Sequence, residues 1–516
     1  MTKRYQVCFE PMHLIVSVDE GETLYQAARA HALLPQAFCG GNGTCGKCGV
    51  TVTERGVSRQ ALACRTRVTG DMTVLLAAPE QTSVLVSGTA RPIALTPRAG
   101  YAAAFDIGTT TIVCYLLDGA TRRQLAVRGM LNPQSSFGAD VILRANYALT
   151  HGGEALQSAV VGAMNQLLSD CCAIANAAIT DVSFCAVVGN TAMQHLLLGV
   201  SPKPLVLAPY QPLSTEGVNT TARALGLALA PDARVVILPL ISGFVGADTV
   251  GCRLATDFPA LAGNTLLMDI GTNGQLVLGN ATRRIACSTA AGPAFEGAKI
   301  LCGMRGAPGA IDHVALENGA LTYSVIGGGR PRGLCGSGLV DLVACLLSVG
   351  AILPGGRMRE AEAFPDRLIT LDDGARAFVL VPASESDTGA PILLSQRDVR
   401  ELQLAKGAMA AGIALMADAL GFTPEAIDRV LLAGAFGSYL DRDSACAVGL
   451  IPFSLRDRVE TVGNAAGEGA KRAAVSDAEV AKAAVLARET EYLELASLPA
   501  FQDAFIAALA FPDEEA

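Results

Sequence analysis

Asp106-Ile107-Gly108-Thr109 and Asp269-Ile270-Gly271-Thr272 are two copies of one short motif, roughly 160 residues apart along the chain. Each copy follows an apolar run typical of a buried strand, Ala102–Phe105 before the first and Leu266–Met268 before the second. A repeat of this spacing is too long for a solenoid, whose units span about 20–50 residues. The pattern predicts a duplicated domain, in which two similar lobes face one cleft.

The residues of the motif suit contacts with phosphate groups. The first copy continues as Thr110-Thr111 and leads into a second strand, Ile112–Leu117, while the second continues as Asn273-Gly274. A hairpin of this composition can direct backbone N–H groups and hydroxyls at phosphates, and its aspartate can hold Mg²⁺ through water. Asp-x-Gly-Thr also occurs in ordinary turns, so the prediction rests on the two copies together. The Walker A pattern G-x4-G-K-[ST] does not occur in the sequence.

Four cysteines near the N-terminus have the spacing of a metal-binding loop. Cys39, Cys45, Cys48 and Cys64 form the pattern C-x5-C-x2-C-x15-C, and the first three stand among glycines. Glycine lets the backbone wrap closely around an inorganic cluster and point N–H groups at its sulfur atoms. Thiolates at this spacing are typical of [2Fe–2S] sites. A structural zinc site is the alternative, although such sites usually contain paired C-x2-C units and this loop has one.

The sequence pattern divides the chain into three parts. Short strands, a helix and the cysteine loop predict a small α+β module over residues 1–80. Its elements are predicted at Arg4–Phe9, His13–Val18, Glu22–Ala32 and Gly49–Thr53. Residues 81–100 contain Pro92 and Pro97 and predict a linker. From Tyr101 onward, apolar strand-like runs alternate with Ala- and Leu-rich helical runs, as in α/β domains.

Length, charge and hydropathy exclude several classes of protein. At about 100–200 residues per domain, 516 residues predict about three domains. A net charge of −9 without a basic stripe argues against binding of nucleic acid. Met1-Thr2-Lys3-Arg4 precedes a strand-like segment and not a signal-peptide core, and the longest apolar stretch, Val235–Val250, is interrupted by polar residues. We therefore expect a cytoplasmic protein without a membrane segment, whose 15 cysteines form no disulfide framework.

The two loops resemble the phosphate-1 and phosphate-2 motifs of the actin/sugar-kinase/Hsp70 superfamily. Leu432–Gly437, behind a further apolar run, resembles the adenosine motif, and Gly336–Asp341 resembles the motif of the helix that connects the lobes. The resemblance implies that ATP and Mg²⁺ bind in the cleft. The nucleotide-binding residues that it implies are Asp106, Gly108, Thr109, Thr110, Asp269, Gly271, Thr272, Asn273, Gly336, Ser337, Gly434, Ala435 and Gly437.

Asp248 is the candidate catalytic residue. It ends the stretch Ser242–Asp248, a short distance before the second phosphate loop. Members of the superfamily often carry at this position an acid that orients the attacking water or hydroxyl. The alternative is an ordinary acidic residue at a helix N-terminus.

The N-terminal module resembles the vertebrate-type and plant-type ferredoxins over residues 1–80. The run that carries the resemblance is Cys39-Gly40-Gly41-Asn42-Gly43-Thr44-Cys45-Gly46-Lys47-Cys48. It implies a β-grasp fold and a [2Fe–2S] cluster held by all four cysteines. The gap between Cys48 and Cys64 is shorter than in those ferredoxins, which predicts a more exposed cluster.

Further stretches resemble one family, the reductive activators of corrinoid proteins, so that the resemblance covers nearly the whole chain. They are Asn132-Pro133-Gln134, Gly138–Ile142, Gly189–His195, Gly292–Ala298, Ser395–Arg400 and Gly463–Ala470. The resemblance implies ATP-dependent transfer of one electron from the cluster to the Co(II) of a corrinoid protein, which gives Co(I) for methyl transfer. It leaves the upstream electron donor open and is compatible with a homodimer.

Two other functions fit the same residues. One is a nucleotide-binding phosphotransferase or ATPase whose iron–sulfur cluster senses redox state. The other is a non-enzymatic scaffold that binds nucleotide and delivers electrons passively.

The predicted architecture combines two fold types. A β-grasp [2Fe–2S] ferredoxin module occupies residues 1–80 and a linker occupies 81–100. A two-lobed, ribonuclease-H-like α/β ATPase body follows, with lobe I at 101–265 and lobe II at 266–516. The linker is predicted to let the cluster approach a corrinoid.

Overall fold

A sheet covered by a helix forms the N-terminal module. The computed structural model describes residues 3–10, 14–30, 48–76, 94–271 and 273–512. The elements of the module are β1 (Arg4–Glu10), β2 (Leu14–Asp19), α1 (Leu24–Ala30), β3 (Gly49–Glu54), β4 (Val57–Leu62) and β5 (Met72–Leu76).

The strands of this module pair as in a β-grasp fold. β1 pairs antiparallel with β2 and parallel with β5, while β3 lies between β5 and β4. Alternate strand residues, such as Val7, Phe9 and Val74, are fully buried in one core with Leu24 and Ala28 of α1. The predicted β-grasp module is confirmed. Helix α1 begins two residues later than predicted, and its predicted end lies outside the described residues.

Two larger sheets and their helices form the body. The first lobe contains β6 (Tyr101–Ile107), β7 (Thr111–Asp118), β8 (Gln124–Leu131), α2 (Val141–His151), α3 (Glu154–Ala175), β9 (Val182–Gly189), α4 (Thr191–Leu198), α5 (Lys203–Val206), β10 (Val218–Thr221), α6 (Ala222–Leu225), β11 (Arg234–Ile237) and α7 (Ala247–Thr256). The strands of the second lobe are β12 (Thr265–Ile270), β13 (Gly274–Gly279), β14 (Arg284–Thr289), β15 (Ala310–Glu317), β16 (Ala320–Val325), β17 (Gly333–Leu334), β18 (Leu368–Thr370), β19 (Arg376–Val381), β20 (Ile392–Ser395), β21 (Arg429–Ala433), β22 (Val459–Gly463) and β23 (Glu491–Tyr492). The helices after α7 are α8 (Gly336–Ser348), α9 (Gln396–Leu420), α10 (Gly434–Tyr439), α11 (Arg442–Ala447), α12 (Ala465–Val475), α13 (Asp477–Arg488) and α14 (Phe501–Ala507).

The central sheets of the two lobes share one strand arrangement. Their orders are β10-β11-β9-β6-β7-β8 and β22-β21-β12-β13-β14-β23. In each sheet the strand before the phosphate loop, β6 or β12, pairs antiparallel with the next strand and parallel with a later one, β9 or β21. This repetition confirms the predicted duplication and the ribonuclease-H-like α/β class. The domain boundaries given above stay predictions.

Helices α7 and α12 lie between the two sheets. Residues of both helices share one core with β6, β7 and β9 of the first lobe and with β12, β13 and β21 of the second. The helices touch backbone to backbone, since a Cβ added to Gly469 would stand 2.2 Å from the carbonyl oxygen of Gly251. A Cβ on Gly467 would likewise stand 2.5 Å from the hydroxyl of Tyr115. Close packing thus explains Gly467 and Gly469 in the stretch Gly463–Ala470.

Helix α8 belongs to the second lobe. Its buried residues, such as Leu339 and Leu346, pack in the core of that lobe, and its N-terminal turn faces the cleft. The prediction that Gly336–Asp341 begins the helix connecting the lobes is therefore wrong. The apolar pattern of a helix shows which face is buried, but it does not show which sheet covers that face.

Helix α3 is long and apolar enough to cross a membrane by length and composition alone. Its buried residues, including Leu156, Val160, Met164 and Leu167, belong to the core of the first lobe, and the helix packs against β7 and β8. It therefore has the position of a core helix in an α/β lobe.

The end of the predicted linker runs along the body. The amide of Thr96 donates to the carbonyl oxygen of Val475 at 2.9 Å, and Arg98 forms an ion pair with Asp477 at 2.9 Å. The chain therefore enters β6 beside helices α12 and α13.

Candidate nucleotide site and cluster ligands

A cavity of about 280 Å³ opens between the two phosphate loops. The ends of β6 and β12 and the first turns of α8 and α10 form its walls. The predicted site residues that line it are Asp106, Gly108, Thr109, Thr110, Asp248, Asp269, Gly271, Asn273, Gly336, Ser337 and Gly434. The fold thus brings most of the predicted nucleotide-binding residues, from both lobes, to one place.

Three further residues were predicted to bind the nucleotide. Thr272 lies outside the described residues. Gly437 lies in α10, where a Cβ would meet the Cβ of Leu432 at 3.4 Å, so it packs this helix against the end of β21. Ala435 lies in the first turn of the same helix, and its side chain is outside the described part.

Hydrogen bonds from neighbouring elements hold the first phosphate loop. The side-chain amide of Asn132 donates to the carbonyl oxygen of Gly108 at 2.8 Å, and the guanidinium of Arg144 donates to that of Thr109 at 2.6 Å. The hydroxyl of Thr109 accepts a hydrogen bond from Asn190 Nδ2 at 2.9 Å. These bonds tie the loop to the segment after β8, to α2 and to the residue that caps α4.

One contact crosses the cleft between the lobes. The hydroxyl of Thr110, in the first phosphate loop, lies 3.1 Å from both carboxylate oxygens of Glu296 in the second lobe. A phosphate group that bound Thr110 would compete with this carboxylate, because both are anionic acceptors for the same hydroxyl.

Three half-buried aspartates, Asp106, Asp248 and Asp269, form the polar centre of the cavity. Burial raises the pKa of Asp106 to about 7, and the charge of Asp248 adds to the rise. Burial, together with the charges of Asp248 and Asp106, raises the pKa of Asp269 to about 7. Burial also raises the pKa of Asp248 to about 6. Carboxylates that oppose one another's ionisation in this way suit a hard divalent cation, whose charge would offset their repulsion.

Asp248 stands in the first turn of α7, a position compatible with both interpretations, and its catalytic role stays a prediction. Its carboxylate accepts a hydrogen bond from the amide of Thr249 at 2.7 Å, and it also lines the cavity. The Thr249 hydroxyl in turn contacts the side-chain oxygen of Gln275, which lines the cavity from β13. Asp248 is therefore fixed by its neighbours with its carboxylate at the ligand space.

Glycines bring the backbone close to the ligand space in the second lobe. Gly434 has a φ of +84°, and a Cβ there would stand 2.6 Å from Oδ1 of Asp269. A Cβ on Gly336 would stand 1.9 Å from the carbonyl oxygen of Phe295. The rings of Phe295 and Phe436, which also line the cavity, stack at 4.8 Å. This side of the cavity is apolar and suits the flat face of a nucleobase.

Several lining residues were not predicted as site residues. They are Asn190, Gln275, Phe295, Glu296, Arg305, Asp312, Phe436 and Asn464, among others. Asn190, Glu296 and Asn464 stand in stretches already quoted for the family resemblance. That signal could have selected them, had each polar residue in those stretches been treated as a site candidate.

Two of the predicted cluster ligands lie side by side. Sγ of Cys48 and Sγ of Cys64 are 3.1 Å apart, close enough to bind one metal ion through bonds of about 2.3 Å. Cys48 is buried and Cys64 is half-buried. Cys39 and Cys45 lie outside the described residues.

Three protein-family profiles match consecutive parts of the chain. Residues 10–69 match the 2Fe-2S iron-sulfur cluster binding domain, 101–260 match the RACo middle region, and 263–516 match the C-terminal domain of RACo, the ASKHA domain. A relative from Eubacterium limosum, "Corrinoid activation enzyme RamQ", is 37% identical over 421 residues, which are 80% of this chain and 70% of that protein. The chain belongs to the family of reductive activators of corrinoid proteins.

Two further similarities agree with this family. "[Co(II) methylated amine-specific corrinoid protein] reductase" from Methanosarcina barkeri is 25% identical over 68% of this chain and 66% of that protein. A solved structure described as "Reductive activator for corrinoid,iron-sulfur protein" is 29% identical, has a TM-score of 0.75 and covers 98% of both chains. The predicted family is thus confirmed. The four cysteines lie within the part of the sequence that matches the iron–sulfur domain, which supports a [2Fe–2S] cluster over structural zinc.

Proposed function

We propose that this reductive activator uses ATP to drive transfer of one electron from a [2Fe–2S] cluster to the Co(II) of a corrinoid protein, which gives Co(I) for methyl transfer. One observation carries the proposal. The chain joins an iron–sulfur module to a cavity built from two duplicated phosphate loops and three half-buried carboxylates.

Cys39, Cys45, Cys48 and Cys64 would hold the cluster. The facing thiols of Cys48 and Cys64 fit this role, and the matched iron–sulfur domain includes all four residues. When bound, the cluster supplies a group that takes up and gives out one electron. The half-buried Cys64 places one ligand near solvent, where a partner can approach.

ATP would occupy the interlobe cavity with Mg²⁺. Oxygen ligands from Asp106 and Asp269 fit a hard cation of this kind. Gly108, Thr109 and Thr110 would contact phosphates from the first lobe, and Gly271 and Asn273 would do so from the second. The apolar wall beside Gly336, Ser337, Gly434 and Ala435 would receive the nucleoside. Thr272 belongs to the same proposal through its place in the second motif, and Gly437 through its support of α10.

Asp248 would act on the attacking water. The N–H group of Thr249 fixes one of its carboxylate oxygens, and burial holds its pKa at about 6. At neutral pH the carboxylate is therefore ionised and able to accept a proton from water or to orient it.

ATP is needed because the electron moves uphill. Plant-type clusters have potentials near about −400 mV, and the Co(II)/Co(I) couple is expected to lie lower. Each ~100 mV of mismatch costs about 2.3 kcal/mol for one electron. A nucleotide that favours one closure of the two lobes can select the complex in which transfer is less unfavourable.

The partner is a corrinoid protein of a methyltransferase system. The name of the Methanosarcina barkeri relative contains a Co(II) corrinoid protein, and that of the Eubacterium limosum relative contains corrinoid activation. We place the protein in the cytoplasm, without nucleic acid or a membrane as partner. A separate donor must reload the cluster after each turnover, and a homodimer is compatible with the proposal.

The test measures ATP hydrolysis by the cluster-loaded protein with and without a Co(II) corrinoid protein. The proposal predicts faster hydrolysis when the Co(II) form is present and no comparable effect of the methylated form. A rate of ATP hydrolysis that no corrinoid protein of the same organism changes would contradict the proposal. It would favour an ATPase or phosphotransferase with a redox-sensing cluster. A full-length variant in which Asp269 is changed to Ala serves as the control for contaminating ATPases.

A further inference from the structure

The segment between Asn132 and Arg144, called the 132–144 segment below, connects two sites that the proposed function treats separately. It contains Asn132-Pro133-Gln134 and Gly138–Ile142, stretches that carry the family resemblance without an assigned role. In the fold it joins the end of β8 to α2 and includes a short 3-10 helix, Pro133–Ser136.

The first and last residues of this segment, Asn132 and Arg144, bind the first phosphate loop at three consecutive carbonyl groups. The side-chain amide of Asn132 donates to Gly108, and the backbone amide of Asn132 donates to Thr110, both at 2.8 Å. Arg144 donates to Thr109 at 2.6 Å and also to Gly138 at 2.9 Å, within the segment. Any movement of the loop that shifts these carbonyls must move the segment as well.

The 3-10 helix inside the segment touches the ferredoxin module. The hydroxyl of Tyr25 in α1 donates a buried hydrogen bond of 2.8 Å to the carbonyl oxygen of Ser136. Tyr25 and Ser136 are 3% and 6% exposed. Helix α1 ends at Ala30, nine positions before the first predicted cluster ligand, Cys39, so this bond acts on the described element that comes before the cysteine loop in the sequence.

A compact turn links Asn132 to Ser136. The amide of Ser135 donates to the carbonyl oxygen of Asn132 at 3.0 Å, and the hydroxyl of Ser136 donates to that of Pro133 at 2.8 Å. Gln134 is fully buried, and its side-chain amide donates to Leu156 of α3. The ring of Pro133 fixes its own φ angle, and these hydrogen bonds restrict the other backbone angles of the turn. We therefore expect the turn to move as one rigid unit when the phosphate loop moves.

We propose that the 132–144 segment is the docking surface of the ferredoxin module on the first lobe, and that nucleotide in the first phosphate loop strengthens this docking. The proposal rests on the proposed nucleotide site. A bound phosphate holds Gly108–Thr110 in the conformation that accepts the Asn132 and Arg144 bonds, and this conformation presents the carbonyl group of Ser136 to Tyr25. By reciprocity, docking of the module raises the affinity for nucleotide by the same factor.

The test is amide hydrogen exchange of the full-length, cluster-loaded protein under anaerobic conditions, with and without a non-hydrolysable ATP analogue and Mg²⁺. Three peptides matter: residues 101–118 around the loop, 132–144, and 14–30 around Tyr25. We expect the analogue to slow exchange in all three. Tyr25→Phe removes the hydroxyl and keeps the ring. It is expected to abolish the response of 14–30, to keep that of 101–118, and to weaken analogue binding by about two- to fivefold.

Tyr5→Phe is the matched control, because Tyr5 donates its hydroxyl to Glu20 within the same module at 3.2 Å. It is expected to behave as the unaltered protein. Slowed exchange at 101–118 without any change at 14–30 would overturn the docking proposal and leave the nucleotide site standing. A response of 14–30 that survives in Tyr25→Phe would overturn it too. No response at 101–118 would overturn the nucleotide site and, with it, this inference.

Discussion

Asp106 of the first phosphate loop accepts a hydrogen bond of 3.1 Å from the side-chain amide of Asn464, which caps the helix between the lobes, α12. The same amide lies 3.1 Å from the hydroxyl of Tyr115 in β7. One side chain thus connects a candidate cation ligand of the first lobe to the end of β22 in the second.

Replacement of Asn464 by Ala tests this connection. Burial raises the pKa of Asp106 to about 7, and the bond from Asn464 opposes the rise. Without it, Asp106 ionises at higher pH. We expect kcat/KM for ATP hydrolysis to fall about tenfold at pH 7 and the acidic limb of its pH profile to move upward. Asn165→Ala is the control, because it removes a half-buried asparagine of α3 whose hydrogen bonds, to Gly226 and Ala228, lie outside the cavity. An unchanged pH profile in Asn464→Ala would count against the assigned role.

Asp269 should make the nucleotide-free protein less stable as pH rises. Its folded pKa is about 7, whereas an unfolded aspartate titrates near about 3.9. Between these values the folded chain keeps a proton that the unfolded chain has lost, so the free energy of unfolding falls as pH increases. Asp269→Asn is therefore expected to raise that free energy at pH 8 by on the order of 2 kcal/mol, with little change at pH 4.

Denaturant unfolding at the two pH values checks the prediction for Asp269. The exposed Asp232→Asn is the matched substitution and is expected to have no such pH dependence. An equal gain from Asp269→Asn at both pH values would show that packing, and not the buried charge, causes the effect.

Glu296 is expected to weaken nucleotide binding in the resting protein. Its carboxylate occupies the hydroxyl of Thr110 at 3.1 Å and adds negative charge where phosphates would lie. Glu296→Gln keeps the shape and removes the charge, so we expect ATP to bind about three- to tenfold more tightly. Titration calorimetry measures this, with the exposed Glu317→Gln as control. Weaker binding of ATP by Glu296→Gln would contradict this prediction and would mean that the Glu296 carboxylate favours nucleotide binding.

Asp248→Asn separates the two interpretations of that residue. If the carboxylate orients water, the substitution lowers kcat for ATP hydrolysis by about 10²-fold or more and leaves the affinity for ATP within a few-fold. If Asp248 only stabilises the start of α7, the melting temperature falls and kcat follows the folded fraction. Single-turnover hydrolysis together with thermal unfolding distinguishes these results.

Cys64→Ser is expected to remove the [2Fe–2S] absorbance and to leave ATP binding intact, because Cys64 faces Cys48 at 3.1 Å in a module separate from the cavity. Cys8→Ser, in β1 of the same module, is expected to keep the cluster. Iron and sulfide analysis with visible spectroscopy measures both variants. Zinc at stoichiometric level in the unaltered protein, without iron, would restore the structural zinc interpretation.

Much of the fold could be predicted because its decisive features are local in sequence. The two Asp-x-Gly-Thr motifs predict the duplicated sheets, and the glycine-rich cysteine loop predicts the ferredoxin module. The position of α12 between the sheets could not be predicted. It depends on contacts such as Gly469 against Gly251, which join residues that are distant in sequence.

The site was predictable to the extent that its residues stand in the repeated loops. Asp106, Asp248 and Asp269 converge as expected, since equivalent loops of duplicated lobes face one cleft. Asn464 and Glu296 approach these loops from other elements, and the sequence does not show which polar residue of a helix start or a turn will point into a cavity. The prediction that α8 connects the lobes was wrong for a similar reason. The apolar pattern of the helix shows that one face is buried, but it does not show which sheet packs against that face.

The most direct measurement mixes the full-length protein, its cluster reduced beforehand and excess reductant removed, with a Co(II) corrinoid protein under anaerobic conditions. The account predicts that Co(I) absorbance appears as the reduced-cluster signal disappears, at one rate, and that ATP is required. Cys64→Ser and Asp269→Ala are each expected to prevent it. Co(I) formation that is equally fast without ATP would contradict the central claim. Equally fast formation by Cys64→Ser, after the same treatment with reductant and the same removal of its excess, would contradict it too.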